Sequence, residues 1–462
     1  MRYFEEISNI PRTSGHEEQI ASYIEAFARR EGLDCYRDEA DNVFITKAGT
    51  RGREHEDALM LQAHTDMVGE KNADSTHDLL REGIHLVQEG NLLRADGTTL
   101  GADDGFGVAL MLAVLAECED HPPLECLFTT SEETGLCGAV RFDYSRVRAK
   151  KLINLDSAEE QDIIIGCCGG YRNNMECDVT WEATSGMGIS VSVSGLCGGH
   201  SGEDIHRGRA NALALLQRLV SRVQREMPVR LARIGGGSRE NVIPREASAL
   251  ISVANVARAM ELLQAECEAC RADCHAKEDA GLCFLLALEP FDALLDEEDT
   301  ARVLHLLTIP HGVLQWREEG KSAYLSRNLA SVSIKDNKVI VALSTRCSKT
   351  ASLDESDADI TAFAEQMGAR FVPINTYCGW ESDEGIDLVR EWRDAYRHVT
   401  GEEMRVTVIH AGLECGVICG SVKGMDAIAI GCNIHNLHSP DECMELDSFL
   451  RVEKTLRAYL AK

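Results

Sequence analysis

Basic charge is what this chain of 462 residues most lacks: 47 Lys and Arg stand against 76 Asp and Glu, a formal net charge of −29. A field of that sign repels nucleic acid and anionic membrane surfaces, so neither is an expected partner. No apolar run is long enough to span a bilayer. A signal peptide is not expected either, because Glu5, Glu6, Glu17 and Glu18 lie where an apolar stretch would be needed. The expected location is the cytoplasm. Internal repeats and low-complexity linkers are also absent, and the length exceeds what one hydrophobic core usually organises, so two or more domains are expected. With 44% hydrophobic and 27% charged residues, the composition is that of a folded soluble protein.

The 18 cysteines do not form the dense framework of a small secreted domain; scattered singly, they read as reduced and mostly buried thiols. One cluster invites an iron–sulfur or metal reading, because Cys267, Cys270 and Cys274 stand beside His275. Yet Leu263, Cys267, Cys270 and Cys274 step by 4, 3 and 4 within a run, Ala257–Lys277, that lacks Pro and Gly. That spacing is one helix face, and core packing is the better reading.

The first 160 residues alternate helical and strand patterns. Glu17–Arg30 fits a helix with Ile20, Tyr23, Ile24 and Phe27 on one face. Strands are expected at Asp57–Ala63, ending in His64, at Leu124–Thr130 and at Lys151–Leu155, with a buried helix at Val108–Leu115. After Ser185 the character changes to an alternating segment, a Gly-rich loop and mixed helices and strands, then from about Trp380 to a helix and a strand at Ala427–Gly431. The expected architecture is α/β: a split catalytic domain, 1–185 and 380–462, with a mixed, mainly parallel sheet flanked by helices. An α+β domain, 186–379, is inserted into it.

Ligands collect outside the carboxyl ends of the strands in such sheets. Four predicted strands end in metal-type ligands: His64 with Asp66, Glu132 with Glu133, Asp156, and His438. The bend Gly101-Ala102-Asp103-Asp104-Gly105 adds carboxylates. Two imidazoles with several carboxylates suit zinc, cobalt or manganese, whereas magnesium or calcium would take oxygen ligands almost exclusively. With one bridging carboxylate, five residues can hold two ions around a water, and hydrolysis is the natural chemistry. Glu132 and Glu133, being adjacent, point in different directions, so one can ligate while the other moves a proton. Each piece alone has a plainer reading as turn or wet surface; their convergence at strand ends does not.

The segments Gln62-Ala63-His64-Thr65-Asp66-Met67-Val68, Thr99 to Gly105, Leu127 to Gly135, Ile153 to Ser157 and Gly198-Gly199-His200-Ser201-Gly202 resemble the bacterial cytosol non-specific, or aminoacyl-histidine, dipeptidases of the co-catalytic zinc family. So do Asn241 to Ala247, His410-Ala411-Gly412-Leu413-Glu414-Cys415-Gly416, His438 to Glu442 and the N-terminal Ile10 to Glu18. The resemblance implies that Asp103 bridges two zinc ions, with His64 and Asp156 on one and Glu133 and His438 on the other. It makes Glu132 the general base and Asp66 the group that orients His64, as a ligand imidazole requires. It makes the inserted domain a lid whose His200 stabilises the oxyanion, and gives Asn241, Arg346 and Gly412 to the dipeptide. A guanidinium such as Arg346 is independently well shaped to grip a free carboxylate. The family also implies a homodimer formed through the lid.

Departures from the family pattern are few. Ala158 and Cys168 replace an expected acidic and a small residue, and Cys347 follows Arg346 where serine is common. They bear on substrate preference rather than activity. Cys415 and Cys419 read as small core residues, with no Cys–His–Asn/Asp arrangement to compete with the metal constellation. The expected function is hydrolysis of unblocked dipeptides of broad type, Xaa-His and β-alanyl-histidine within its range. An acyl-amino-acid amidohydrolase of the same family and a non-catalytic metal- or peptide-binding protein are the alternatives.

Overall fold

The apolar runs that precede the acidic motifs form the middle of a nine-stranded sheet. A computed structural model of the protein describes residues 1–274, 277–317 and 322–462. The sheet runs Asp34–Arg37, Val43–Lys47, Leu124–Thr129, Leu59–His64, Lys151–Asn154, Asp426–Ala429, Asp162–Cys167 and Trp380–Glu381, with Arg405–Val408 beside Asp162–Cys167. The strands 124–129, 59–64, 151–154 and 426–429 are parallel neighbours. Leu59–His64 and Leu124–Thr129 bury every residue, as strands covered on both faces do. In register, His64 lies beside Thr129 and Gln62 beside Asn154, which brings three carboxyl ends level.

The helix Ala102–Glu117 is buried from Gly105 to Leu115 against this sheet. Glu18–Glu31 buries Ile20, Ile24 and Phe27 and ends on Gly32, whose left-handed backbone suits glycine. Leu86–Glu89, Leu92–Ala95, Cys443–Glu445 and Ile434–His435 make a small second sheet in the same unit. Cys415 is buried in this unit's core and Cys419 is packed against it.

The chain divides into two compact units, 1–167 with 377–462, and 168–376. The boundary expected after Ser185 is displaced, because it falls inside the strand Trp181–Ser194. The change of character there is a β-bulge between Ala183 and Gly186. Residues 169–178 already pair with Lys338–Cys347 in the second unit's sheet, so the crossing comes at Cys167/Cys168. The return is at Thr376/Tyr377 rather than after Gly379.

The second unit has its own nine-stranded sheet, antiparallel in its registered pairs, and a core it shares with helices Ala212–Gln224, Val256–Asp273 and Glu297–Leu306. Asn211 caps the first of these by accepting from the N–H groups of Leu213 and Ala214. Cys267 and Cys270 are buried with Leu263 in that core, as one helix face predicts, whereas Cys274 lies at the C-cap, past the helix, and is half-buried. His275 lies outside the described residues. Among the described residues no helix is long and apolar enough to cross a membrane.

Candidate metal centre

The parallel strands deliver their acidic and imidazole groups to one end of the sheet. His64 is the last residue of its strand, Glu132 and Glu133 follow Leu124–Thr129, and Asp156 follows Lys151–Asn154. Asp103 lies at the start of Ala102–Glu117, where the backbone is not yet helical and the Asp103–Asp104 peptide is cis. His438 arrives differently from expectation. It does not end Asp426–Ala429 but stands in the turn after Ile434–His435, with φ 60°, on the hairpin that strand makes with Cys443–Glu445.

Asp103 faces both imidazoles. Its Oδ1 is 3.0 Å from His64 Nε2, and its Oδ2 is 3.2 Å from His438 Nε2. Asp156 Oδ1 is 3.8 Å from His64 Nε2, and Glu133 Oε1 is 2.9 Å from His438 Nε2. Ligand atoms converge in three sets: His64, Asp103 and Asp156; Asp103, Glu133 and His438; and His64, Glu132 and Glu133. Each set lies within 4.8 Å, and the first two share Asp103. Glu133 Oε1 is buried and faces His438 Nε2 at 2.9 Å, a relation that suits two ligands of a common cation. The donor set fits zinc, cobalt or manganese.

The two adjacent aspartates are separated by their contacts. Asp104 turns into the protein, where Oδ2 accepts from the His64 N–H at 3.1 Å and Oδ1 from the Gly107 N–H at 3.0 Å. Asp66 ties the His64 ring to the acidic loop. His64 Nδ1 lies 3.1 Å from the Asp66 carbonyl and 3.4 Å from its carboxylate, which itself accepts from the N–H groups of Glu132 and Glu133 at 2.9 and 3.3 Å.

Burial is the largest influence on these groups. It raises the carboxyls of Glu132, Glu133 and Asp156, and neighbouring carboxylates add to it: Glu133 and Glu414 at Glu132, and Asp103 at both Glu133 and Asp156. Burial would also raise Asp103, but hydrogen bonds with His438 and His64 outweigh it and hold that carboxyl low. Burial disfavours charge on the imidazoles, yet Asp103 with Asp66 lifts His64, and Asp103 with Glu133 lifts His438, above an ordinary histidine. A cluster of this kind holds protons that divalent cations displace.

A family model described as peptidase family M20/M25/M40 matches residues 60–462 of this chain. The chain belongs to that peptidase family. Cytosol non-specific dipeptidase of Escherichia coli (strain K12) is 35% identical over 460 residues, covering 96% of this chain and 93% of that protein. The crystal structure of aminoacylhistidine dipeptidase from Vibrio alginolyticus has a TM-score of 0.82 at 34% identity, covering 99% of this chain and 95% of that one. A tripeptidase from Staphylococcus aureus, 15% identical with a TM-score of 0.56 over 100% and 96% of the two chains, shares the fold. This M20-family chain is therefore a hydrolase, and its relatives at 34–35% identity named above are dipeptidases.

Other residues singled out in the sequence fall in both units. Gly412, in the first, packs so closely on Tyr377 that a Cβ would come within 2.6 Å of its ring. In the second, His200 and Asn241 lie on loops that pair: His200 bridges Val242, and the Ser201 N–H donates to the Asn241 carbonyl at 2.8 Å. His200 Nδ1 accepts from the Glu203 N–H at 3.2 Å, which leaves the proton of the neutral ring on Nε2. Arg346 is buried in Lys338–Cys347, opposite Ser326 and Gly170.

Several supporting residues are assigned no role by the sequence. Arg12, fully buried, donates to the carbonyls of Thr65, Asp66 and Gly101. Ser14 Oγ donates to Asp66 at 2.8 Å, and Glu17 accepts from the Ser131 N–H and hydroxyl, both at 2.9 Å. These clamps come from the segment that precedes the family-model match. Their sequence signals are the family resemblance of Ile10 to Glu18 and a polar cluster, Arg12-Thr13-Ser14-Gly15-His16-Glu17, ahead of an amphipathic helix; neither assigns them a role.

Proposed function

We propose that this protein is a metal-dependent dipeptidase that hydrolyses unblocked dipeptides of broad side-chain type, Xaa-His and β-alanyl-histidine included. The observation that carries the reading is Asp103, whose two oxygens face His64 and His438 and join two ligand sets into one centre. In the proposed assignment His64 and Asp156 would hold one ion and Glu133 and His438 the other, with Asp103 shared between them. Zinc is the proposed ion, with manganese and cobalt suited to the same donors. Two divalent ions held there would supply Lewis-acid polarisation of the scissile carbonyl and a lowered pKa for the attacking water.

Glu132 takes the proton of the attacking water and passes it to the leaving amine. Asp66 supports both the proposed ligand and the proposed base, since it meets the His64 ring and holds the Glu132 backbone N–H. His200, with its proton on Nε2, donates to the developing oxyanion, and Arg346 grips the free carboxylate of the dipeptide. Asn241 and Gly412 complete the substrate contacts. The names of the relatives support the substrate class and a cytoplasmic location. We further propose a homodimer formed through the second unit, whose edge strand Cys283–Leu295 exposes Leu285 and Leu288.

The test is hydrolysis by metal-stripped protein with zinc, manganese or cobalt added back separately. Free dipeptides and N-acetyl amino acids are compared under each metal. Turnover of the dipeptides is expected; activity confined to the acylated compounds overturns the dipeptidase reading in favour of an aminoacylase.

A further inference from the structure

Under the ligand cluster lie four buried polar side chains that the chemistry above does not use. Gln62 is two residues before His64, Thr129 three before Glu132, and Asn154 two before Asp156, while Glu414 opens the helix Glu414–Ser421. All four have 0% exposure. Gln62 Nε2 donates to Glu414 Oε2 at 2.5 Å and to Thr129 Oγ1 at 3.1 Å. Thr129 Oγ1 donates to the same Glu414 oxygen at 2.7 Å. On the other side, Asn154 Nδ2 donates to Gln62 Oε1 at 2.7 Å, and Asn154 Oδ1 accepts from the Asp156 N–H at 3.2 Å.

This chain of contacts links the ends of all three ligand-bearing strands to a helix that enters from the far end of the sequence. Strand side chains repeat every two residues, so Gln62 occupies the layer next below His64 on the same face. The arrangement is costly. A carboxyl group is buried, its Oε1 has no hydrogen-bond partner, and burial pushes its pKa up to about 7. Apolar residues of similar volume would be cheaper to bury here. What they would not provide is a fixed register among three strand ends, because dispersion contacts are not directional and hydrogen bonds are.

We propose that Glu414 is a positioning residue of the metal centre, holding Gln62, Thr129 and, through Gln62, Asn154, so that His64, Glu132 and Asp156 keep one spacing. The inference rests on the reading of those groups as a metal site. Its test is therefore a binding measurement on the full chain, separate from peptide hydrolysis. Zinc affinity is measured by competition with a chromophoric chelator, and site geometry by the d–d absorption of the cobalt-loaded protein.

Glu414→Ala is expected to weaken metal binding by about tenfold and to change the cobalt spectrum. Glu414→Gln should restore both, because an amide oxygen accepts from Gln62 and Thr129 as the carboxylate does. Should Glu414→Ala fail to fold, Gln62→Met severs both arms at similar volume and is expected to lose affinity to the same degree. Wild-type affinity and spectrum in a folded Glu414→Ala or Gln62→Met protein overturn the proposal. Equal losses in Glu414→Gln and Glu414→Ala also overturn it, since charge rather than hydrogen bonding would then be responsible. Wild-type protein that binds neither ion overturns the metal-site reading itself, a result distinct from unchanged variants of a metal-binding parent.

Discussion

Glu442 grips the backbone that presents Asp103. One carboxylate oxygen accepts from the N–H groups of Leu100 and Gly101 at 2.9 and 3.0 Å, and the other from those of Ala102 and Asp103 at 2.8 and 3.4 Å. Glu442 is four residues beyond His438, so one buried side chain joins the loop of the proposed bridging ligand to the segment of a second ligand. Glu442→Ala leaves four N–H groups without that acceptor and frees Asp103 from its place. Metal affinity is expected to fall about 10- to 100-fold. Glu442→Gln should fall less, because its amide keeps one accepting oxygen. Metal content after dialysis against a fixed free-zinc buffer decides between these outcomes.

The proposed base is held by its main chain rather than by its carboxylate. The Glu132 N–H donates to Asp66, and the neighbouring Ser131 is fixed by Glu17. Removing the Glu132 side chain therefore leaves the loop in place. Glu132→Ala is expected to retain both ions and to lower kcat by about 10²- to 10⁴-fold, the usual contribution of a positioned proton carrier. Steady-state kinetics on a free dipeptide, paired with metal analysis of the same preparation, checks it. Unchanged turnover would sink the assignment of the base.

The buried carboxyls make the metal-free protein sensitive to pH in a stated direction. Burial raises Glu132, Glu133 and Asp156, and carries Glu414 from 4.5 to about 7. A carboxyl whose folded pKa is raised binds more protons folded than unfolded, so its share of stability is present below the unfolded value and is lost as pH rises through the folded one. For Glu414 that window is about 4.5 to 7. The thermal midpoint of chelator-treated protein should accordingly be lower at the top of this window than at the bottom, and flatter with pH in Glu414→Gln. Saturating zinc should remove the share of the decline that belongs to the ligands Glu133 and Asp156, whose protons the ions replace, and leave the share of Glu414. An apoprotein whose midpoint rises across the same range would contradict this account.

His64, Glu132, Glu133 and Asp156 were legible because each follows an apolar run, and a strand buried on both faces keeps its charged groups near its ends. His438 was misplaced for a related reason. The strand Asp426–Ala429 is followed by a hairpin of a different sheet, and nothing in Cys432 to Leu437 announces the change of partner. The boundary near residue 185 was misread because a β-bulge breaks strand alternation much as a linker does. Gln62 and Asn154 had a local signal, an amide inside a buried apolar run, whereas their partner Glu414 lies 352 residues from Gln62 and could not be paired from spacing. Glu442 acts across 339 to 342 residues and Arg12 across 53 to 89, both on backbone groups, which carry no side-chain signature.

Asn328 offers a contrasting prediction, because it supports substrate residues without touching the metal ligands. It is buried in the second unit, and its Nδ2 donates to the carbonyls of Glu240 and Val242 at 3.1 and 2.8 Å, on either side of Asn241. The same loop reaches the His200 segment through the Asn241 carbonyl. Asn328→Ala removes both donors and lets Asn241 drift, at a cost near that of leaving a buried carbonyl unpaired, about 1–3 kcal/mol. KM for a free dipeptide is expected to rise roughly tenfold, since 1.4 kcal/mol corresponds to that factor. Zinc affinity should stay at the wild-type value, because Asn328 supports a loop of the second unit whereas the proposed ligands belong to the first. Kinetics and chelator competition on one preparation separate this loss from those of Glu414→Ala and Glu442→Ala, in which metal affinity itself falls.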